Sequence, residues 1–257
     1  MIIDGKELSE KRILELQVER AKFGPLTLAL VVSTNDVVTS SFIKIKKRVA
    51  TEFDVAVRDY ASLADVQGED GVILQLPLPP GVNQNVERSK IPFEKDVDIL
   101  SDRAFEAFVR GDYPPPPVPR AIAYILKMYD ISYNGKKVVV VGQGRLVGKP
   151  TAELFRQRGA RVTVLEKGDE VAGHTRGADI VVLGAGVPSL LKPDMVKDGV
   201  IIFDAGASEA QGRVVGDADP ACANKAALFT PVPRGIGPIA VVEIFANLFA
   251  LRAKRNG

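Results

Sequence analysis

Four consecutive valines, Val138 to Val141, run straight into Gly142-Gln143-Gly144-Arg145-Leu146-Val147-Gly148-Lys149-Pro150. No other stretch restricts the possible folds so tightly. An unbroken β-branched run has no polar face, so it predicts a strand covered on both sides, as in a parallel sheet flanked by helices. The glycines then predict a tight turn at Gly142, close backbone approach at Gly144 and close helix–sheet packing at Gly148. Pro150 suits the first turn of the helix that follows. Strand, glycine turn and helix start put backbone N–H groups where a pyrophosphate can meet them. The glycine pattern alone is also ordinary turn chemistry; its place in a βαβ series is what favours a nucleotide.

That series continues with a strand from Arg161 to Leu165, then Ile180 to Leu183, then Val200 to Phe203, ending near Phe229. Glu166 closes the second strand. An acid at this distance from the first glycine accepts hydrogen bonds from the adenosine ribose hydroxyls and repels a 2′-phosphate. It is equally what a charged residue leaving a strand looks like, and Lys149 and Lys167 could shield a phosphate. The cofactor reading is NAD or NADP, with a lean to NAD.

An earlier alternation precedes this one. A helix is expected from Leu8 to Arg20, with Leu8, Ile13, Leu14, Leu16 and Val18 as its apolar members. A buried strand follows from Leu26 to Val32, with an exit loop at Ser33-Thr34-Asn35-Asp36. Next come a helix from about Thr39 and strands near Val55 and Val72. Five prolines in the seven residues from Tyr113 to Pro119 mark the boundary between the two halves, since they suit neither a central strand nor a helix interior. A helix is expected from Ala121 to Tyr129, and an apolar one from Ile239 to Arg252 with Glu243 and Asn247 as its few polar members.

At 257 residues the chain can hold two modest domains. A net charge of +2, from 34 basic and 32 acidic residues, points to neither a nucleic-acid nor a membrane surface. Cys222 is the one cysteine, so no intramolecular disulfide is expected, and with His174 the one histidine a Cys/His metal site is not expected either. Both read as residues without a catalytic role. The opening MIIDGKELSEKRI lacks the basic-then-apolar order of a signal peptide, and no run suggests a membrane span. The expectation is a cytoplasmic protein.

Two further segments carry chemistry. In DGVILQLPLPP, residues 70–80, the strand Val72 to Leu74 stops at Gln75, and prolines 77, 79 and 80 forbid a longer ladder. One amide is thereby set at the C-terminal mouth of a strand. Downstream, Lys95-Asp96-Val97-Asp98 ends on a carboxylate. In Phe42-Ile43-Lys44-Ile45-Lys46-Lys47-Arg48, Phe42 and Lys46 lie four apart on one helical face. Phe42, Ile45, Val49 and Phe53 also form a stripe that could simply be core, and Lys46 among its basic neighbours could be a solvated face.

Taken together, QLPLPP, KDVD, the Phe42–Lys46 spacing, Gly216-Asp217 and Thr230-Pro-Val-Pro-Arg-Gly-Ile-Gly-Pro238 resemble the methylenetetrahydrofolate dehydrogenase/cyclohydrolase family. Pro116-Pro117-Val118-Pro119 stands in place of that family's P-C-T-P motif. The resemblance implies an α/β fold of two domains. Residues 1–117, completed by a C-terminal helix over 239–257, would bind folate, and 118–238 would form a Rossmann-like domain. It implies oxidation of 5,10-methylenetetrahydrofolate to the methenyl form and hydrolysis of that to 10-formyltetrahydrofolate, in one-carbon metabolism, by a homodimer without a metal. Lys46, Gln75 and Asp98 would be catalytic. Phe42, Gln75, Leu76, Pro77, Asp98, Gly237 and Pro238 would touch the substrate. Gly142, Gln143, Gly144, Arg145, Val147, Gly148, Glu166, Lys167, Ala185, Gly186, Pro231 and Ile236 would contact the cofactor.

Several positions depart from the family pattern. Phe42 replaces a tyrosine, Gln143-Gly144 and Glu166-Lys167 replace groups suited to a 2′-phosphate, Val118 and Ala240 replace threonines, and Arg234 replaces a glycine. Two alternatives follow: a dehydrogenase with impaired hydrolysis, or a nucleotide sensor without catalysis. A two-domain amino-acid or shikimate-type dehydrogenase shares the architecture but neither QLPLPP nor TPVPRGIGP.

Overall fold

A computed structural model describes residues 1–34, 37–210 and 212–256. Asn35 and Asp36 of the expected exit loop lie outside the described residues. In chain order the first elements are α1 (Gly5–Arg20), β1 (Leu26–Val31), α2 (Val37–Glu52), β2 (Val55–Tyr60), β3 (Gly71–Leu74), α3 (Gln84–Ser89), α4 (Asp102–Val109) and α5 (Pro117–Met128). Then follow β4 (Lys137–Val141), α6 (Gly148–Gln157), β5 (Arg161–Leu165), α7 (Val171–Thr175), β6 (Ile180–Leu183) and β7 (Ile201–Asp204). The last are β8 (Ser208–Ala210), β9 (Arg213–Val215), β10 (Leu228–Thr230) and α8 (Ile236–Asn256). The backbone forms two compact units, Met1–Leu8 with Val118–Ala240, and Ser9–Pro117 with Val241–Gly257.

The valine run is β4, an inner strand of a five-stranded parallel sheet ordered β10-β7-β6-β4-β5. Val138 and Val140 face a core that includes Ile122, Ile125, Phe155 and Phe203. Val139 and Val141 face a second core with Leu183, Ile202 and Phe229. Both faces are covered, which is why alternation is absent from the sequence there. The chain leaves β4 for β5 on one side and returns to β6 on the other. The order reverses between β4 and β6, and open α/β sheets bind ligands at such a reversal, beyond the carboxyl ends of the strands.

The other unit is built on a three-stranded parallel sheet ordered β2-β1-β3. All four residues of β3 are buried, with Leu74 in a core that includes Ala29, Val31, Leu78 and Leu100. Phe53, at the end of α2, meets Phe245 and Phe249 of α8 at ring-centroid distances of 5.4 and 5.3 Å. The two polar residues noted in that last helix are anchors. Glu243 accepts from Arg12 Nε at 2.7 Å, and Asn247 Nδ2 donates to the carbonyls of Val97 and Pro115 at 3.0 and 3.1 Å.

Three expectations are corrected. α5 starts at Pro117, not Ala121. Pro117 and Pro119 sit in its first turn, where the N–H that proline lacks has no intrahelical partner in any case. In α1 only Leu8 and Leu16 of the apolar set are deeply buried, whereas Leu14 and Val18 are exposed. α8 is long and apolar enough to cross a membrane by length and composition, but 72% of its most apolar 18-residue window is buried within the protein, so core burial accounts for its apolarity.

Candidate active site

β3 delivers Gln75 as its next residue, still tied to the sheet through its own N–H to Val31 O at 2.9 Å. The Leu76–Pro77 peptide beyond it is cis. The amide has one sensible orientation. Its Nε2 donates to Leu76 O at 2.7 Å, so Oε1 is left to accept from Lys46 Nζ, also at 2.7 Å. Lys46 is 8% exposed and Gln75 7%. Buried Val49 in α2 and Phe53 just beyond it fix the end of the helix, and this sets Lys46 facing inward. Phe42, one turn earlier, is half-buried.

Burial pushes the Lys46 ammonium below the ordinary lysine range, and the negative charge of Asp98 partly restores it. Asp98 mirrors this: burial raises its carboxyl and Lys46 pulls it back. Its side chain is half-buried. Its neighbour Asp96 is wholly buried and spends its oxygens on the N–H groups of Leu100 (3.0 Å) and Ser101 (2.8 Å), shaping the turn that presents Asp98. Lys46, Gln75 and Asp98 are thus brought together as one electrostatic unit, with Phe42, Leu76 and Pro77 in the same compact half.

The glycine turn lies in the other half. Gly142 has φ +99°, and a Cβ there would fall 2.6 Å from Gly184 O. A Cβ on Gly148 would stand 1.9 Å from Gly142 O. Gly144 differs, because its nearest neighbour is 3.9 Å away, leaving room for a ligand to meet the backbone. Val147 precedes α6 without any capping side-chain hydrogen bond, so the first-turn N–H groups have no side-chain acceptor at the cap. This cradle fits the pyrophosphate of a nicotinamide dinucleotide. At its rim Gln143 Nε2 donates a short hydrogen bond to the Glu166 carboxylate, and Asp169 accepts from Glu166 N at 2.7 Å. Lys167 is exposed, Arg145 is half-buried, and half-buried Val147 fills the space beside Gly184.

Ala185 and Gly186 follow β6 on the same side of the reversal, but their N–H groups are already given to Asp217. They can meet a cofactor only through other atoms. Pro231, Ile236, Gly237 and Pro238 lie in the loop after β10 and the first turn of α8. Arg234, standing where the family has glycine, carries φ +81°, a conformation glycine adopts without cost. Its carbonyl accepts Gly5 N at 2.8 Å and its guanidinium lies 3.7 Å from Asp4. Sequence reasoning missed Asp204 at the end of β7 and gave Asp217 no task. The available signals were an acid closing the buried run Val200–Asp204, and glycines at 206 and 216. Among the described residues no group of three or more His, Cys, Asp or Glu could hold a metal ion.

Residues 116–256 match the family described as tetrahydrofolate dehydrogenase/cyclohydrolase, NAD(P)-binding domain. The bifunctional protein FolD of Halothermothrix orenii is 34% identical over 276 residues, spanning 98% of this chain and 97% of that protein. The bifunctional FolD structure from Campylobacter jejuni is 28% identical and aligns over 99% of both chains with a TM-score of 0.91. The Trypanosoma brucei FolD, complexed with NADP cofactor and an inhibitor, is 26% identical and aligns with a TM-score of 0.91 over 100% of this chain and 98% of that one. Agreement of this breadth, running through the amide-bearing strand end as well as the glycine turn, makes this chain a member of the tetrahydrofolate dehydrogenase/cyclohydrolase family.

Proposed function

We propose a division of labour between the two halves for the two reactions of the family. The chain oxidises 5,10-methylenetetrahydrofolate to 5,10-methenyltetrahydrofolate and hydrolyses that product to 10-formyltetrahydrofolate. A nicotinamide dinucleotide, when bound, accepts the hydride that leaves the bridging methylene carbon. The residues proposed to hold it are those of the glycine turn, with Glu166 accepting hydrogen bonds from the adenosine ribose and thereby favouring NAD over NADP.

In the hydrolytic step water adds to the amidinium carbon of the methenyl group and must lose a proton. The adduct then loses its hydroxyl proton as the C–N5 bond breaks and N5 takes one up, leaving the formyl group on N10. The proposed acceptor of the adding water's proton is Lys46, whose buried amine is more readily neutral than an exposed lysine. Gln75 holds that amine by a neutral acceptor, which orients it without adding the negative charge that would raise its basicity. Asp98 accepts hydrogen bonds from the pterin N–H groups, and Phe42 stacks beside the ring. The observation that carries this reading is the buried 2.7 Å contact between Lys46 and Gln75.

The test is an assay of the purified protein with methylenetetrahydrofolate and each of NAD⁺ and NADP⁺, following methenyl and formyl products separately. Loss of formyl production in Lys46→Met, with the protein folded, is the expected result; an unchanged hydrolytic rate would remove Lys46 from the mechanism. We further propose that residues 1–117 with 239–257 form the folate domain and 118–238 the dinucleotide domain. A cytoplasmic homodimer completes the reading, which sedimentation and cell fractionation would check.

A further inference from the structure

Asp217 is wholly buried, and its carboxylate accepts three consecutive main-chain N–H groups. Oδ2 accepts from Ala185 at 2.7 Å and Gly186 at 3.0 Å, and Oδ1 from Val187 at 2.8 Å. These residues form the loop after β6, beside the glycine turn at the strand-order reversal. The main chain fixes the register of the two segments. Ser189 N donates to Gly216 O (3.2 Å), Leu191 N to Asp217 O (3.0 Å) and Asp219 N to Leu191 O (2.9 Å).

A second buried carboxylate backs the first. Asp204 accepts from Gly206 N (3.0 Å), Asp217 N (3.2 Å) and Ala218 N (2.8 Å). Space for both acids is made by glycines: a Cβ on Gly206 would stand 2.2 Å from Asp217 Cγ, and one on Gly216 2.1 Å from Asp204 Oδ2. From the outer side, Ser208 Oγ donates to Gly186 O at 2.9 Å, so both polar ends of that residue are held. Burying two neighbouring carboxylates is unfavourable unless hydrogen bonds satisfy them. Burial pushes Asp204 up to about 6, and its main-chain donors counter the rise. An apolar pair would fill the same space without burying charge, but it would take the carboxylate acceptor from six main-chain N–H groups, three of them in the loop after β6.

We propose that Asp217 is a positioning residue for the dinucleotide, holding Ala185–Val187 as a preformed wall of the crevice so that the cofactor meets an already ordered loop. This rests on the reading of the crevice as the dinucleotide site. Asp217→Asn keeps one oxygen and turns the other into an amide that faces N–H donors. It should raise the dinucleotide KM five- to twentyfold while kcat and the hydrolytic rate stay within twofold. Ser208→Ala loosens only the outer grip on Gly186 and should raise the same KM two- to threefold. An unchanged dinucleotide KM in folded Asp217→Asn would overturn the proposal, as would a parallel fall in both activities, which marks a merely structural role. Should Asp217→Asn fail to fold, Ser208→Ala decides: a raised KM supports the proposal and an unchanged one overturns it. Absence of dehydrogenase activity in the unsubstituted protein would instead refute the dinucleotide reading itself, which separates the two failures.

Discussion

Lys46 and Glu166 are each held by a glutamine amide, Gln75 in the first case and Gln143 in the second. Gln75 accepts from a cation and Gln143 donates to an anion, and the two pairs differ further in their exposure. Lys46 and Gln75 are buried, whereas Glu166 stands in solvent at the rim of the glycine turn. Removing water from a charged amine changes how easily it gives up its proton, so the first pair is suited to moving protons. An exposed carboxylate at the rim attracts hydrogen-bond donors and repels anions that come close to it, which suits the second pair to discriminating between ligands. On the proposed reading, a charge held by a glutamine serves reactivity when buried and selectivity when exposed.

The sharpest way to break this contrast is Lys46→Met, which keeps bulk and burial and removes the amine. Positioned proton transfer contributes about 10²–10⁴-fold, and the hydrolytic rate should fall by that order, measured on methenyltetrahydrofolate with circular dichroism confirming the fold. A variant as fast as the unsubstituted protein would mean that the buried pair is structural.

The exposed pair is tested by cofactor choice. Like charges about 4 Å apart at an effective dielectric of about 20 repel by roughly 4 kcal/mol before screening. Screening by salt and by Lys149 and Lys167 lowers this to about 1.4–2.8 kcal/mol, a preference for NAD⁺ of one to two orders of magnitude in kcat/KM. Glu166→Ser should weaken NAD⁺ and improve NADP⁺. A ratio that the substitution leaves unmoved would show that Glu166 does not face the ribose.

The acidity of Lys46 gives the third test. Its ammonium is held below the ordinary range, so the neutral amine gains as pH rises through that lowered value, and the hydrolytic rate should climb on the same limb. Gln75→Glu places a negative charge on the amine, stabilises the protonated form and should move the limb upward by about one pH unit or more, with a roughly tenfold lower rate at a fixed pH on the limb. Asp98→Asn should move it the other way. A limb that stays in place in both variants would show that another group titrates.

The smallest effect is expected of Phe42→Tyr. A hydroxyl hydrogen-bonded to Lys46 is worth about 0.5–1.5 kcal/mol, a several-fold gain in hydrolysis with less change in oxidation. Equal or lower rates for both steps would show a site rebuilt around the phenyl ring.

The strands and the glycine turn were legible because their signals are local. Val138–Val141 and Ile180–Leu183 carry their burial in unbroken apolar runs, and the positions of Gly142 and Gly148 follow from backbone clearance. The start of α5 was not, because a proline cluster reads as a break while the first turn of a helix tolerates it. The apolar face of α1 was misread because Leu14 and Val18 share a spacing with the buried residues without sharing their side. Lys46 stood among other basic residues, and only the amide brought to it from 29 positions away sets it apart. Asp217 escaped because its partners are main-chain groups, which look alike in every sequence.

The anchoring of α8 also governs when the protein can form. The half that contains Lys46 consists of Ser9–Pro117 and Val241–Gly257. Phe53 packs on Phe245 and Phe249, and Arg12 pairs with Glu243. On the ribosome these partners are made far apart in time. After Pro117 emerges, on the order of 120 further residues must be translated before Val241, about 6–25 s at common elongation rates. Through that interval the early segment carries an open apolar face that waits for its last helix. The other half, Met1–Leu8 with Val118–Ala240, has its strands in hand sooner, so the order of synthesis favours that half folding first and the half that carries Lys46 closing last.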